Sequence, residues 1–123
     1  MAALNPRDNH SLFERLAKEG DVEGLVELYA EDAVYVASAE QVLEGRDQIR
    51  TALQAMVDMG FETRLELTGL VEAGDVVLEK SRWTTSVPGE DGKPVETTGL
   101  STVVLRRQAD DCWRMVIDDP GLG

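Results

Sequence analysis

The sequence predicts a single α+β domain over residues 1–123, a cone-shaped, curved antiparallel sheet wrapped around three N-terminal helices. Three observations lead there. Helical periodicity fills the first half of the chain, and after Gly60 the apolar period drops from about 3.6 to 2. Hairpin turn signals then recur, and helices first with hairpins last is an α+β order. Third, the stretch Val76 to Val87, VVLEKSRWTTSV, gathers β-branched residues, two cations and a tryptophan between Gly74-Asp75 and Pro88-Gly89, and reads as the central strand.

In chain order, Asn9 to Lys18 places Leu12, Phe13, Leu16 and Ala17 on one helical face, and Gly20 ends that helix. Asp21 is a natural N-cap for a second helix with the stripe Val22, Leu25, Val26 and Tyr29, closed by a turn at Glu31-Asp32. Ala33 to Ala37 reads as a short first strand, and Ser38 to Gly45, which has no period, as a loop. Ile49, Leu53, Met56 and Val57 make an amphipathic third helix that Gly60 stops. Phe61 to Glu72 alternates as a half-buried strand, with Gly69 marking a bulge. Val95 to Gln108 and Cys112 to Asp119 complete a four-strand meander.

Composition narrows the function. A formal charge of −12 repels phosphate backbones and anionic lipid, so neither nucleic acid nor membrane is an expected partner. No apolar run approaches the roughly 20 residues of a membrane span. The start MAALNPRDNHSLF lacks an apolar signal core, which points to a cytoplasmic location. Cys112 beside Trp113 reads as a small buried hydrophobe, and His10 as a solvated helix-start residue. One histidine builds no metal site, and Asp118-Asp119 should point to opposite faces of a strand, so no metal and no cofactor are expected.

A curved sheet closed by helices leaves a hollow to be filled by side chains or by a ligand. In Val76 to Val87 one face carries Leu78, Lys80, Arg82 and Thr84, the other Val77, Glu79, Ser81, Trp83 and Thr85. Neither is cleanly apolar. Two explanations compete, a polar ligand pocket on one face and a second chain covering a mixed outer face. Val77, Trp83 and Thr85 on an outer face would predict a homodimer.

The segments LYAEDAVYV, EGRDQIRTAL and DGKPVETTGLSTVVLRRQADDCWRMVIDD together resemble the nuclear transport factor 2 family, in particular its bacterial SnoaL-like and ketosteroid-isomerase-like branch. The resemblance covers roughly Ser11 to Pro120. It implies the cystatin-like cone fold and pairing through the convex sheet, and for function a range from isomerases and cyclases to hydrolases and non-catalytic binders. Laid on ketosteroid isomerase, the general-base aspartate falls on Ala37, the tyrosine of the oxyanion hole on Phe13 and the sheet aspartate near Thr102, so that mechanism is lost. Laid on limonene epoxide hydrolase, Tyr35 and Asp118 are kept, while Ala37, Lys80 and Arg82 replace an asparagine, an arginine and an aspartate.

The residues expected to serve a site are therefore Asp118, Tyr35 and Arg82 as catalytic groups, with Phe13, Lys80, Trp83 and Thr102 around a ligand. Each has a plainer explanation. Arg82 and Asp118 would form a structural ion pair, Tyr35 a core aromatic, Lys80 a solvated cation, Thr102 a strand former and Trp83 core packing. The function read from this is binding of a small apolar or amphipathic ligand, extending to a cofactor-independent isomerase, cyclase or hydrolase of a hydrophobic substrate with a polar group. The alternative is a non-catalytic binder or a dimeric structural module.

Overall fold

The computed structural model describes residues 2–122. Helix α1 runs Asn9–Glu19 after a short 3-10 turn, Pro6–Asp8, and α2 runs Val22–Glu27. Strands β1 (Tyr29–Ser38) and β2 (Gln41–Glu44) precede α3 (Gly45–Asp58). The meander follows as β3 (Glu62–Ala73), β4 (Val76–Pro88), β5 (Pro94–Arg107) and β6 (Trp113–Asp119).

Local chemistry explains the breaks. Gly20 ends α1 in the left-handed conformation at φ 69°, where a side chain would be strained. The Asp21 carboxylate then accepts the Gly24 N–H at 2.9 Å and caps α2. At Gly69 the β3–β4 register slips by one residue, the bulge expected there.

The six strands form one open, curved sheet in the order β2-β1-β6-β5-β4-β3. Four features depart from the sequence-based expectation. β4 lies one strand in from the edge, and the centre belongs to β6 and β5, because β1 docks on β6 and extends the sheet at the far side. That docking is parallel, so the sheet is mixed. Tyr29 opens β1 instead of closing α2, since its backbone pairs with Met115. Within the expected loop, Gln41–Glu44 folds back on β1 as a short hairpin strand.

The core lies between the helices and the concave face, built on Leu16, Leu25, Leu28, Ile49, Leu105 and Met115. Cys112, a free thiol, is buried beside it. Val77 is 1% exposed in the same core, and the period of two then turns Glu79, Ser81, Trp83 and Thr85 inward with it. Val77, Trp83 and Thr85 are thus not an outer face, which removes them as grounds for a dimer. No helix among the described residues is long and apolar enough to cross a membrane.

Candidate functional site

Between the concave face of the sheet and helices α1 and α3 lies a cavity of about 700 Å³. Its wall is mostly apolar, with Phe13 from α1, Leu53 and Met56 from α3, and Phe61, Trp83 and Met115 from the segments of the meander.

One lateral row across the sheet carries most of the chemistry. Tyr35 on β1 pairs with Asp118 on β6, Asp118 with Val103 on β5, and Val103 with Glu79 on β4. All four side chains line the cavity. Neighbouring strands lie about 4.8 Å apart, which puts Asp118 and Glu79 roughly 10 Å from each other with a valine between them.

Asp118 is 9% exposed. Its Oδ2 accepts a hydrogen bond of 2.6 Å from the hydroxyl of the fully buried Tyr29, and Oδ1 meets no donor among the described residues. Burial pushes its carboxyl up to about 6; the Tyr29 hydrogen bond pulls against that, and the charge of Asp119 adds to it. Tyr29 is itself raised well above the usual phenol range by burial and by the Asp118 charge. Burial first and Asp118 second also push Tyr35 up to about 12. At neutral pH the site therefore holds a carboxylate of moderate basicity next to a phenol that keeps its proton.

Two arginine hydrogen bonds position this corner. Arg46, in the first turn of α3, donates from Nε and Nη2 to the Tyr29 carbonyl at 3.0 and 2.8 Å, fixing the start of β1 and with it the phenol below Asp118. On the opposite wall the Trp83 indole N–H donates to the Pro120 carbonyl at 2.8 Å, holding the segment after β6 against the rim. The Ser81 and Ser101 hydroxyls, both buried, share a 2.8 Å hydrogen bond between β4 and β5.

A second polar group sits where α1 begins. Asn9 and Glu79, each 4% exposed, and His10 line the cavity, and Asn9 Oδ1, His10 Nδ1 and Glu79 Oε1 are buried with no hydrogen-bond partner among the described residues. Burial raises Glu79 to about 7, with Arg7 pulling it down by its charge. His10 therefore lines the cavity, with Nδ1 buried, instead of standing in solvent as expected.

Of the residues singled out from sequence, Phe13, Tyr35, Trp83 and Asp118 line the cavity. Lys80, Arg82 and Thr102 do not. On β4, Lys80 and Arg82 alternate with Glu79 and Ser81 and are exposed on the convex face, and Thr102, paired with Lys80, shares that face. The Thr102 hydroxyl donates to the Leu122 carbonyl at 2.6 Å. The expected Arg82–Asp118 contact is thus replaced by Tyr29–Asp118, because a strand that turns Val77 inward must turn Arg82 outward. Tyr29, Asn9, His10 and Glu79 escaped the sequence reading. For Glu79 a signal existed, its place on the same alternating face as Val77 and Trp83; for Tyr29 the helical spacing pointed the wrong way. Among the described residues no three His, Cys, Asp or Glu side chains gather in a metal-binding group.

Comparison with known proteins agrees with this architecture. The model of the SnoaL-like domain matches residues 10–114. A solved structure of an NTF2-like protein with a cystatin-like fold from Novosphingobium aromaticivorans is 22% identical, with a TM-score of 0.80 over 94% of this chain and 78% of that one. A ketosteroid isomerase-like protein from Erwinia carotovora atroseptica is 15% identical, with a TM-score of 0.78 over 92% of this chain and 89% of that one. No curated protein matches the chain by sequence. Both structural likenesses are of fold, and with the family match over most of its length the chain belongs to the SnoaL-like domain family.

Proposed function

We propose that the cavity binds an apolar small molecule carrying a polar group, and that the protein acts on it as a cofactor-independent isomerase, cyclase or hydrolase. The observation that carries this is Asp118: a buried carboxylate on the cavity wall, one oxygen held by Tyr29 and the other left for a ligand, raised to about 6 where a base for neutral pH should lie. Asp118 takes the proton, from a carbon next to a carbonyl or from an attacking water. Tyr35, protonated and adjacent in the sheet, donates to the oxygen on which charge develops.

The test is turnover of a panel of ketones, epoxides and polyketide-like substrates by the wild type and by Asp118→Asn. Loss of about 10²- to 10⁴-fold is the size expected for a removed general base. Unchanged turnover in Asp118→Asn removes Asp118 from the chemistry, and tight binding with no turnover by the wild type makes the protein a carrier.

We further propose a cytoplasmic homodimer joined through the convex face. Support comes from a second lateral row, Val34, Ile117, Val104, Leu78 and Val71, which runs across that face on five successive strands with Ile117 and Val71 exposed. Sedimentation at micromolar concentration checks it, and a species of 13.5 kDa rejects it.

A further inference from the structure

The proton chemistry assigned to Asp118 leaves the Asn9, His10 and Glu79 corner unused, yet three buried polar atoms there have no partner among the described residues. Buried polar groups are almost always satisfied, because a donor or acceptor left without a partner loses its water for nothing in return. The three come from two separate elements, the first turn of α1 and the middle of β4, and all line one cavity. Arg7, just before α1, acts by its charge on the Glu79 carboxyl, and Asn9, His10 and Glu79 share the wall of that one cavity.

What would fill the corner follows from donor and acceptor count. Asn9 Oδ1 and an ionised Glu79 Oε1 only accept, and an imidazole that carries its proton on Nε2 accepts at Nδ1, the atom that His10 buries here. The missing groups are donors, and a primary ammonium carries three. Charge points the same way. Glu79 and Asp118 turn their carboxyls to the cavity and no lysine or arginine lines it among the described residues, so a carboxylate or phosphate would meet repulsion where a cation would meet attraction. Phe13 and Trp83 supply the apolar and aromatic surface for the remainder of such a molecule.

We propose that this corner is a subsite for a primary ammonium group, its N–H groups donating to Asn9 Oδ1, His10 Nδ1 and Glu79 Oε1, so that the ligand is an amine with an apolar body. The assignment rests on the reading of the cavity as a ligand site but not on Asp118 acting as a base. The amine nitrogen sits two strands from Asp118, so roughly 10 Å of apolar framework spans the distance from the anchor to the reacting atom.

Three probes that share an indolylethyl body and differ in the head group test it: tryptamine, tryptophol and indolepropionate, titrated by calorimetry into the wild type, Glu79→Gln and Asp118→Asn at a pH of about 8, where Glu79, near 7, is ionised. The wild type should bind the amine about tenfold or more tighter than the alcohol, as charge-assisted hydrogen bonds require, with the carboxylate weakest. Glu79→Gln should cost the amine about tenfold and leave the alcohol within about twofold, and Asp118→Asn, two strands away, should cost the amine less than Glu79→Gln does. Equal binding of the three heads by the wild type, or the carboxylate binding best, overturns the ammonium subsite and leaves the ligand cavity standing. A ranking that survives Glu79→Gln but vanishes in Asp118→Asn places the cation at Asp118 and also overturns it. Absence of binding by all three overturns the cavity reading as well. The wild-type ranking needs no substitution, so the result does not depend on a variant folding.

Discussion

At the scale of single residues the site depends on one hydrogen bond, Tyr29 Oη to Asp118 Oδ2 at 2.6 Å. The bond does two things: it satisfies a carboxylate that burial would otherwise neutralise, and it holds the carboxyl basicity below what burial alone would set. Rate measured as kcat/KM should therefore rise with pH through a midpoint of about 6 as Asp118 loses its proton. Tyr29→Phe should move that midpoint upward, because the interaction it deletes favours the ionised form, and should cost about 1–3 kcal/mol in urea unfolding. A midpoint that stays put in Tyr29→Phe would mean that another group sets the profile. Asp118 and Tyr35 were reached through the family resemblance, as the positions kept when the chain is laid on limonene epoxide hydrolase. Tyr29 was not, since a tyrosine four positions after Leu25 fits a helical stripe as well as it fits a strand.

At the scale of elements, the contact between β4 and β5 sets the shape of the cavity wall. Trp83 lies across Gly99, its partner in the register, so closely that a Cβ at residue 99 would stand 2.5 Å from the indole Cζ2. Gly99→Ala must push the indole off this seat and away from the Pro120 carbonyl it donates to, at a cost of about 1–3 kcal/mol. Near-ultraviolet circular dichroism and urea unfolding check both effects; an unchanged tryptophan signal would contradict the packing. Helix α2 has only six residues and leans on its cap, so Asp21→Ala should lose about 1 kcal/mol. Gly20, Asp21, Gly60 and Gly69 were readable as punctuation because each acts through its own backbone or the few residues beside it. The parallel pairing of β1 with β6 was not, because it joins residues more than eighty positions apart that no local pattern relates.

For the whole molecule, two buried carboxyls make stability depend on pH in a predictable sense. Glu79 rises from 4.5 to about 7 on folding and Asp118 from 3.8 to about 6, so both bind a proton more tightly in the folded state. Their contribution is fully present below the unfolded values and is lost as pH climbs through the folded ones. Thermal midpoints should fall between a pH of about 5 and about 8, and the fall should be shallower in Glu79→Gln than in the wild type. A fall of the same steepness in that variant would show that Glu79 is not buried as a titrating group. The ammonium subsite adds a linked outcome: a bound amine should raise the midpoint most at the alkaline end, where Glu79 is charged.

The amino-acid pattern by itself determined the α+β order, the three helices and the four-strand meander, because period, caps and glycine turns act locally, whereas Tyr35, Asp118 and Phe13 were pointed to only through the family resemblance. Only the folded chain decided which face of β4 turns inward, and hence that Glu79 replaces Lys80 and Arg82 in the cavity. A strand alternates whichever way it is turned; the choice between its two faces is made by the strands and helices that bury one of them, here Val77 against the core that Leu105 and Met115 share.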